Sequence, residues 1–310
     1  MEHLGLGWVL LAGTLAGTLA ASSTREQDLG PIREEAMDMA QNSFDDRYQD
    51  CRCEMEEELK MVNRTEFKNP LYANTWRKAN EKLRNSNQPQ VLRWEYAVAV
   101  MAYTYPTRLY RKFNEAVCEG GRSRDYYLQS FHFKTLHFLL TEALHTLRDA
   151  QGRRCYNVYR GVRGIRFMAQ INQTVRFGRF ASASLKKNAT KRFGQDTLFF
   201  VYTCYGVPIK HFSFYPEEEE VLIPPYEVFK VTKFTRDRDR NIIRLRSHSV
   251  HSNYNCALVN GKGREQGGYH QEMGTALGRR RRAPHAPPAM AAEERGPRAT
   301  GSVRGRGASW

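Results

Sequence analysis

Residues 212–229 read FSFYPEEEEVLIPPYEVF, in which the four consecutive glutamates Glu217 to Glu220 run straight into Val221-Leu222-Ile223 and a Pro224-Pro225 stop. An acidic block of this kind usually marks a solvated turn. The apolar run and the proline stop instead read as a chain entering a buried strand. With Glu217 to Ile223 extended, side chains alternate between faces, so Glu218 and Glu220 share one face about 7 Å apart. Glu217 and Glu219 then point the other way, as exposed bystanders. Two carboxylates on one face can divide the work of a substitution at a sugar carbon. One opposes the positive charge that develops there, and the other engages the incoming nucleophile.

Upstream, Val158-Tyr159-Arg160-Gly161-Val162 is a strand-like run in which a guanidinium sits beside bare glycine backbone, a pair suited to close approach by a phosphate. Arg179 to Ser184, RFASAS, places the Ser182 and Ser184 hydroxyls on one face of a second extended run. The region after Gln151-Gly152 alternates throughout. Val158–Val162, Val175–Ala183, Leu198–Cys204, Ile209–Phe214, Glu220–Ile223, Val228–Phe234 and Ile242–Arg246 are short, β-branched or aromatic, and separated by turn residues.

Before that point the period is helical. Asp45-Asp46 suit a helix start, MEEELKMV continues it, and Leu71–Arg84, Trp94–Tyr103, Arg108–Val117 and Phe131–Leu147 follow. In the last of these Leu136, Leu140, Ala143 and Leu147 recur at helical spacing, with Phe133 and Leu139 widening a core-facing stripe. His132, His137 and His145 form no HExxH pair and read as helix-face or core histidines. Helices followed by strands make an α+β layout. Neither GxGxxG nor GxxxxGK[ST] occurs, so Rossmann and P-loop nucleotide sites are not supported.

Arg160, Ser182, Glu218 and Glu220, in that order, resemble the R-S-ExE signature of the arginine-specific mono-ADP-ribosyltransferases, most closely the vertebrate extracellular members. Phe44-Asp45-Asp46, Tyr103, Gly121 to Arg124, Phe133 to Phe138, Thr203-Cys204 and EEVLIPP look like the same family's framework, so the resemblance spans residues 44–256. It implies a helical N-terminal part packed on a split β-sandwich whose central cleft takes NAD, or NADP, as co-substrate. The implied reaction moves one ADP-ribose from NAD to an arginine guanidinium of an acceptor protein and releases nicotinamide. In that reading Glu220 holds the nicotinamide ribose and supports the developing cation, and Glu218 engages the acceptor. Arg160 clamps phosphate beside Gly161, and Ser182 orients the ribose and supports Glu220. Tyr103 and Ser213 match positions lining the NAD site, and Phe193 is a stacking partner for a ring. An NAD glycohydrolase using water at the same site, or an inactive secreted binding glycoprotein, are the alternatives.

The six cysteines, at 51, 53, 118, 155, 204 and 256, lack the paired spacing of a zinc site, and no metal is expected. Disulfides in an exported chain are the better reading. The resemblance implies Cys51 with Cys256 and Cys155 with Cys204, leaving Cys53 and Cys118 to pair together or stay free. Residues 1–20 carry an apolar run ending in small residues, a secretory signal whose first residues lack Lys or Arg. Residues 21–43 read as a polar leader or a removable propeptide, 44–258 as the catalytic domain, and 259–310 as a basic disordered tail. Sequons at Asn63, Asn172 and Asn188 suit a glycoprotein.

The tail lacks the hydrophobic segment that many relatives exchange for a lipid anchor, which predicts a soluble mature protein without a membrane anchor. Its Arg279–Arg282 block reads as a processing site or a polyanion-binding patch. A net charge of +15 favours association with anionic glycans or stored polyanions, including in a secretory granule on the way out of the cell. No nucleic-acid module accompanies that charge.

Overall fold

The computed structural model describes residues 31–237 and 239–257. Strand β1 (Arg33–Ala36) is followed by helices α1 (Arg52–Glu66), α2 (Pro70–Arg84), α3 (Trp94–Thr104), α4 (Leu109–Glu119), α5 (Arg124–Ser130) and α6 (Lys134–Ala150). Then come β2 (Tyr156–Val162), β3 (Ile165–Met168), β4 (Thr174–Val175), β5 (Ala181–Ser184) and the short α7 (Thr190–Phe193). Strands β6 (Thr197–Thr203), β7 (Val207–Pro208), β8 (Glu220–Ile223), β9 (Glu227–Arg236) and β10 (Asn241–Val250) complete the order. The α+β reading holds, and so do the helices read at 71–84, 94–103, 108–117 and 131–147, to within a few residues.

Local chemistry sets the helix ends. Asn69 caps α2 by accepting from the backbone N–H groups of Leu71 and Tyr72, with Pro70 in the first turn. Helix α6 has no cap from its own flank. The Glu66 carboxylate, at the end of α1, accepts from Lys134 N at 2.6 Å and Thr135 N at 2.9 Å instead. Helix α3 is buried over eight of its eleven residues, which is why it reads as apolar all round.

Eight strands lie in the order β4-β9-β10-β6-β2-β5-β8-β7, and β1 pairs separately with β3. The split in the sandwich is visible in the register. β2 pairs with β6 over seven residues but with β5 at the single pair Tyr159 and Ser184. A five-stranded half and a three-stranded half thus diverge at that point. Ala181, Ala183, Val221 and Ile223 from the smaller half pack with Val158, Phe199, Val201, Phe229, Val231, Ile243 and Leu245 of the larger. Leu222 points the opposite way, into the core built by the helices. Val221-Leu222-Ile223 is continuously apolar because its two faces serve two cores.

The structure corrects several readings. Asp45 and Asp46 do not start a helix, since α1 begins at Arg52. Both are buried carboxylates that bind the far end of the domain. Asp46 accepts from the N–H groups of Tyr48, Cys256 and Ala257, and Asp45 holds Arg176 at 2.5 Å and accepts from Asn253 N and Tyr254 N. The polar stretch before residue 44 is not loosely held in its described part. β1 pairs with β3, Met37 is buried, and Arg176 donates to the carbonyls of Met39 and Ala40. The run read as one strand from Val175 to Ala183 is broken at Gly178, which sits at φ +62 against the Cβ of Ala40. The strand read at Ile209–Phe214 is largely a tight turn, Lys210–Phe212. Strands β1 and β3 and helix α5 were not foreseen.

Disulfides join Cys51 to Cys256 and Cys155 to Cys204, while Cys53 and Cys118 are free. The signal segment (1–20), the rest of the leader and the tail lie outside the described residues.

His137 is a core histidine. Its Nε2 donates to the Phe44 carbonyl at 3.1 Å, so its Nδ1 accepts from the Tyr48 hydroxyl at 2.8 Å and the ring is neutral. Burial holds its pKa down at about 3. An unfolded chain takes up this proton below its ordinary pKa of about 6.5, while the folded chain does not. Stability should therefore fall as pH drops from about 6.5 towards 3, by about 2 kcal/mol at pH 5 from this group. Urea unfolding at pH 7 and pH 5 checks it, and the His137→Gln variant should lack this component of the slope.

Candidate active site

Glu220 opens β8 at the divergence between the two half-sheets. In the β5–β8 register Ser184 faces Glu220 and Ser182 faces Leu222, so these four side chains share one face. The Glu220 carboxyl is buried and accepts from Ser213 Oγ at 3.3 Å and from the Ser182 hydroxyl. Burial, helped by the nearby charge of Glu218, raises its pKa to about 7, against the lowering effects of Ser182, Ser213 and Arg160. A carboxylate poised near neutrality in a mostly buried position is a signature of working chemistry.

Arg160 reaches across from β2 and donates from Nη1 to the Ser182 carbonyl at 2.6 Å. Burial pulls its pKa down from the usual guanidinium value, opposed by Tyr103 and Glu220. Tyr103, buried near the end of α3, donates to the Phe180 carbonyl at 3.0 Å and accepts from Asn114 Nδ2 at 3.0 Å. Burial first, with Glu220 adding to it, pushes its hydroxyl up to about 12. The Ser182 hydroxyl, which donates to Glu220, lies beside the Tyr103 phenol. The structure thus brings Arg160, Ser182, Glu220, Tyr103 and Ser213 into one cluster.

Glu218 arrives there by a different route from the one read in the sequence. Residues Pro216–Glu218 form a tight helical turn and Glu219 is left-handed at φ 47, so the strand begins only at Glu220. Alternation along one strand therefore does not explain how Glu218 and Glu220 meet; the turn does. Ser184 Oγ donates to the Glu218 carbonyl at 2.6 Å and Leu185 N donates to the Glu219 carbonyl at 3.1 Å, fixing the turn against β5. Glu219 is not a bystander, since its carboxylate holds both Lys186 and Lys210 at 3.4 Å. Glu217 is exposed, as expected. The Glu218 side chain keeps 16% of its surface open and lies 3.9 Å from Arg192 Nη1. Partial burial, then Glu217, raises its pKa.

Gly161 needs its missing side chain for packing. A Cβ there would come within 2.3 Å of the Gly194 carbonyl and 2.5 Å of that of Thr190. The space beside it is filled by the backbone of α7 and the residue after it, not open to a phosphate on that side. Phe193 is 47% exposed at the end of α7, so its ring is open to solvent. Asn114, Arg192, Arg179, Lys186 and Lys210 were not singled out in the sequence. Arg179 acts on Arg160 through charge alone. Only the spacing of Asn114 on an amphipathic helix could have flagged any of them.

The donor set fits a ligand carrying phosphates at one end and a cationic ribosyl group at the other. A half-buried guanidinium, a line of hydroxyls and a buried carboxyl near neutrality lie together, and Asn114 Oδ1, next to Tyr103, has no hydrogen-bond partner among the described residues. Among the described residues no group of His, Cys, Asp and Glu is placed to hold a metal ion.

A family model described as NAD:arginine ADP-ribosyltransferase matches residues 37–253. The chain belongs to that family. It is 54% identical over 283 residues to NAD(P)(+)--arginine ADP-ribosyltransferase 1 of Gallus gallus, covering 89% of this chain and 90% of that one. It is 46% identical over 253 residues to the GPI-linked NAD(P)(+)--arginine ADP-ribosyltransferase 1 of Homo sapiens, covering 76% and 77%. The crystal structure of a mutant of the eucaryotic mono-ADP-ribosyltransferase ART2.2 in complex with NADH shares its fold. The TM-score is 0.62 at 35% identity, over 71% of this chain and 98% of that one. As a member of this family the chain uses NAD as its co-substrate. The family match begins at residue 37, inside the stretch that the sequence had suggested lay ahead of the domain.

Proposed function

We infer that this transferase moves a single ADP-ribose from NAD, or NADP, to the guanidinium of arginine side chains in acceptor proteins and releases nicotinamide. The observation that carries the reading is the buried Glu220 carboxyl, hydrogen-bonded by Ser182 and Ser213 and within the field of Arg160.

NAD supplies a ribosyl carbon bonded to a cationic leaving group, so the bond to nicotinamide breaks with its electron pair leaving on the ring nitrogen. Glu220, once ionised, accepts a hydrogen bond from the ribose hydroxyl and opposes the charge that grows at the carbon. Ser182 and Ser213 fix the rotamer of that carboxylate. Arg160 holds phosphate and Phe193 offers a ring face. Glu218 binds the acceptor guanidinium, which is protonated and a poor nucleophile, and takes the proton it loses as the new carbon–nitrogen bond forms. Arg192 already sits on Glu218, so an acceptor arginine enters by replacing it.

Incubation with adenylate-labelled NAD and an arginine-rich protein tests the reading. Label on the protein that is released by hydroxylamine supports transfer to arginine. Release of nicotinamide without labelled protein supports hydrolysis, and no reaction supports a binding protein.

The pH dependence follows from the geometry. The reaction requires ionised Glu220, so kcat/KM for nicotinamide release should rise with pH through about 7. Ser182→Ala removes a hydrogen bond to the carboxylate and should move this limb to higher pH. Glu218→Gln removes a neighbouring negative charge and should move it to lower pH. Opposite shifts are the expected result, and shifts in the same direction would remove Glu220 from this role.

Export is part of the same proposal. The two disulfides need an oxidising compartment. Of the three sequons, Asn172 and Asn188 are exposed in turns, while Asn63 lies within α1 with its Oδ1 buried. Glycans are expected at the first two, on a chain cleaved near residue 20, and passage through a granule would follow from its charge. N-terminal sequencing and a glycosidase mass shift on protein from culture medium check these expectations.

A further inference from the structure

The outer face of the five-stranded half-sheet carries two parallel rows of cation and aromatic ring. In the first row Lys233 of β9 faces Arg244 of β10, which faces Phe200 of β6, which faces Tyr159 of β2. In the second, Lys230 faces Arg246, which faces Tyr202. Strands lie about 4.8 Å apart and residues two apart on a strand about 7 Å, so the four cations form a compact lattice. The irregularity between Arg244 and Leu245 keeps it in register. It leaves Lys230, Thr232 and Lys233 all exposed, where strict alternation would turn Lys233 inward.

Among the described residues no acidic side chain of these strands neutralises it. No Asp or Glu occurs in β2, β6 or β10, and the one in β9, Glu227, is fully buried. None of the four cations takes part in an ion pair among the described residues, whereas the neighbouring Arg236 is held by Glu34 at 2.7 Å. The guanidiniums are instead laid over rings. Arg246 stands 4.7 Å from the Tyr202 centroid and Arg244 5.5 Å from that of Phe200, with Lys187 at 5.6 Å from the same ring. Stacked in this way they are held outward and lose less freedom when an anion arrives.

We propose that this face is a docking surface for a sulfated polysaccharide chain, gripped by Lys230, Lys233, Arg244 and Arg246. Phe200 and Tyr202 are capped by the protein's own cations and Tyr159 packs edge-on against Phe200, which leaves no run of open ring faces on which nucleobases could stack. None of the exposed large hydrophobic residues comes from these strands, so nothing here would insert into a lipid surface. The disulfides place the chain in an oxidising compartment, where sulfated glycans are the abundant linear polyanion. The proposal does not depend on the catalytic reading.

Heparin is the probe, with the full-length chain and its affinity measured across a series of NaCl concentrations. Each cation that releases counterions on binding contributes about one unit to the slope of log K against log salt. The variant K230Q/K233Q/R244Q/R246Q should lower that slope by about three to four. The charge-matched variant R64Q/K68Q/K78Q/K112Q, altered at exposed positions of the helical region, should lower it by less than about one. A third variant, R279Q/R280Q/R281Q/R282Q, measures what the tail contributes. Unchanged circular dichroism and nicotinamide release verify folding, and Arg246→Gln alone should lower the slope by about one if the quadruple variant does not fold. Equal losses in the face and charge-matched variants overturn the proposal. Binding lost only with the tail block does so too, as does a face that prefers phosphatidylserine vesicles or an oligonucleotide to heparin.

Discussion

Glu220→Ala is expected to lower both labelling of arginine protein and release of nicotinamide by at least about 10² to 10³-fold, the usual loss when one group aimed at developing charge is removed from a water-poor site. The side chain is buried and approached by two hydroxyls and a guanidinium, so nothing in the cluster can take over its charge. Glu218→Gln should behave differently. Its side chain has 16% of its surface open and its ion-pair partner among the described residues is the exposed Arg192 at 3.9 Å, which suits a group that meets an incoming acceptor. The amide cannot accept the guanidinium proton, so arginine labelling should fall to background. Bond breaking at the ribosyl carbon still has Glu220, so nicotinamide release with water as acceptor should persist. Circular dichroism of both variants excludes misfolding. Full-rate arginine labelling by Glu218→Gln would sink the division of labour between the two carboxylates, and survival of nicotinamide release in Glu220→Ala would sink the assignment of the site.

The parts of this site that could be read from the sequence are those that short range dictates. Val221-Leu222-Ile223 with its proline stop marked a buried strand, and that strand carries Glu220. The order of Arg160, Ser182 and Glu220 matched a family signature, and the structure gathers all three. What escaped is tertiary. Glu218 reaches the site through a left-handed Glu219 held by Lys186 and Lys210, two lysines from other loops, and nothing in an EEEE run encodes that turn. Gly161 read as an open approach to phosphate because its packing against Thr190 and Gly194 depends on a helix about thirty residues further along the chain. Strand β1 was missed because Arg-Glu-Glu-Ala has no β-branched or aromatic residue, and its pairing with β3 is what makes it a strand.

Asp45 and Asp46 are the sharpest case, because an acidic pair ahead of a helix is ordinarily a helix start. Burial reverses the reading. Asp45 and Arg176 are both fully enclosed, with 0% of either side chain exposed. The guanidinium also donates to the carbonyls of Met39, Ala40 and His251, and the carboxylate also receives the N–H groups of Asn253 and Tyr254. One ion pair thus joins three distant segments, around residues 39–45, 176 and 251–254. Asp45→Asn should cost about 3 to 5 kcal/mol, because it leaves a buried guanidinium without its counter-charge. Replacing both partners with apolar residues of similar volume, Asp45→Leu with Arg176→Met, should cost less than the sum of the two single changes, since no charge is then stranded. The measurement is urea unfolding of the four proteins at pH 7 with disulfides intact, so that the Cys51–Cys256 link is common to all. A loss below about 1 kcal/mol in Asp45→Asn would mean that water reaches Arg176 and that the three segments are joined by the disulfide and the Asp46 contacts alone.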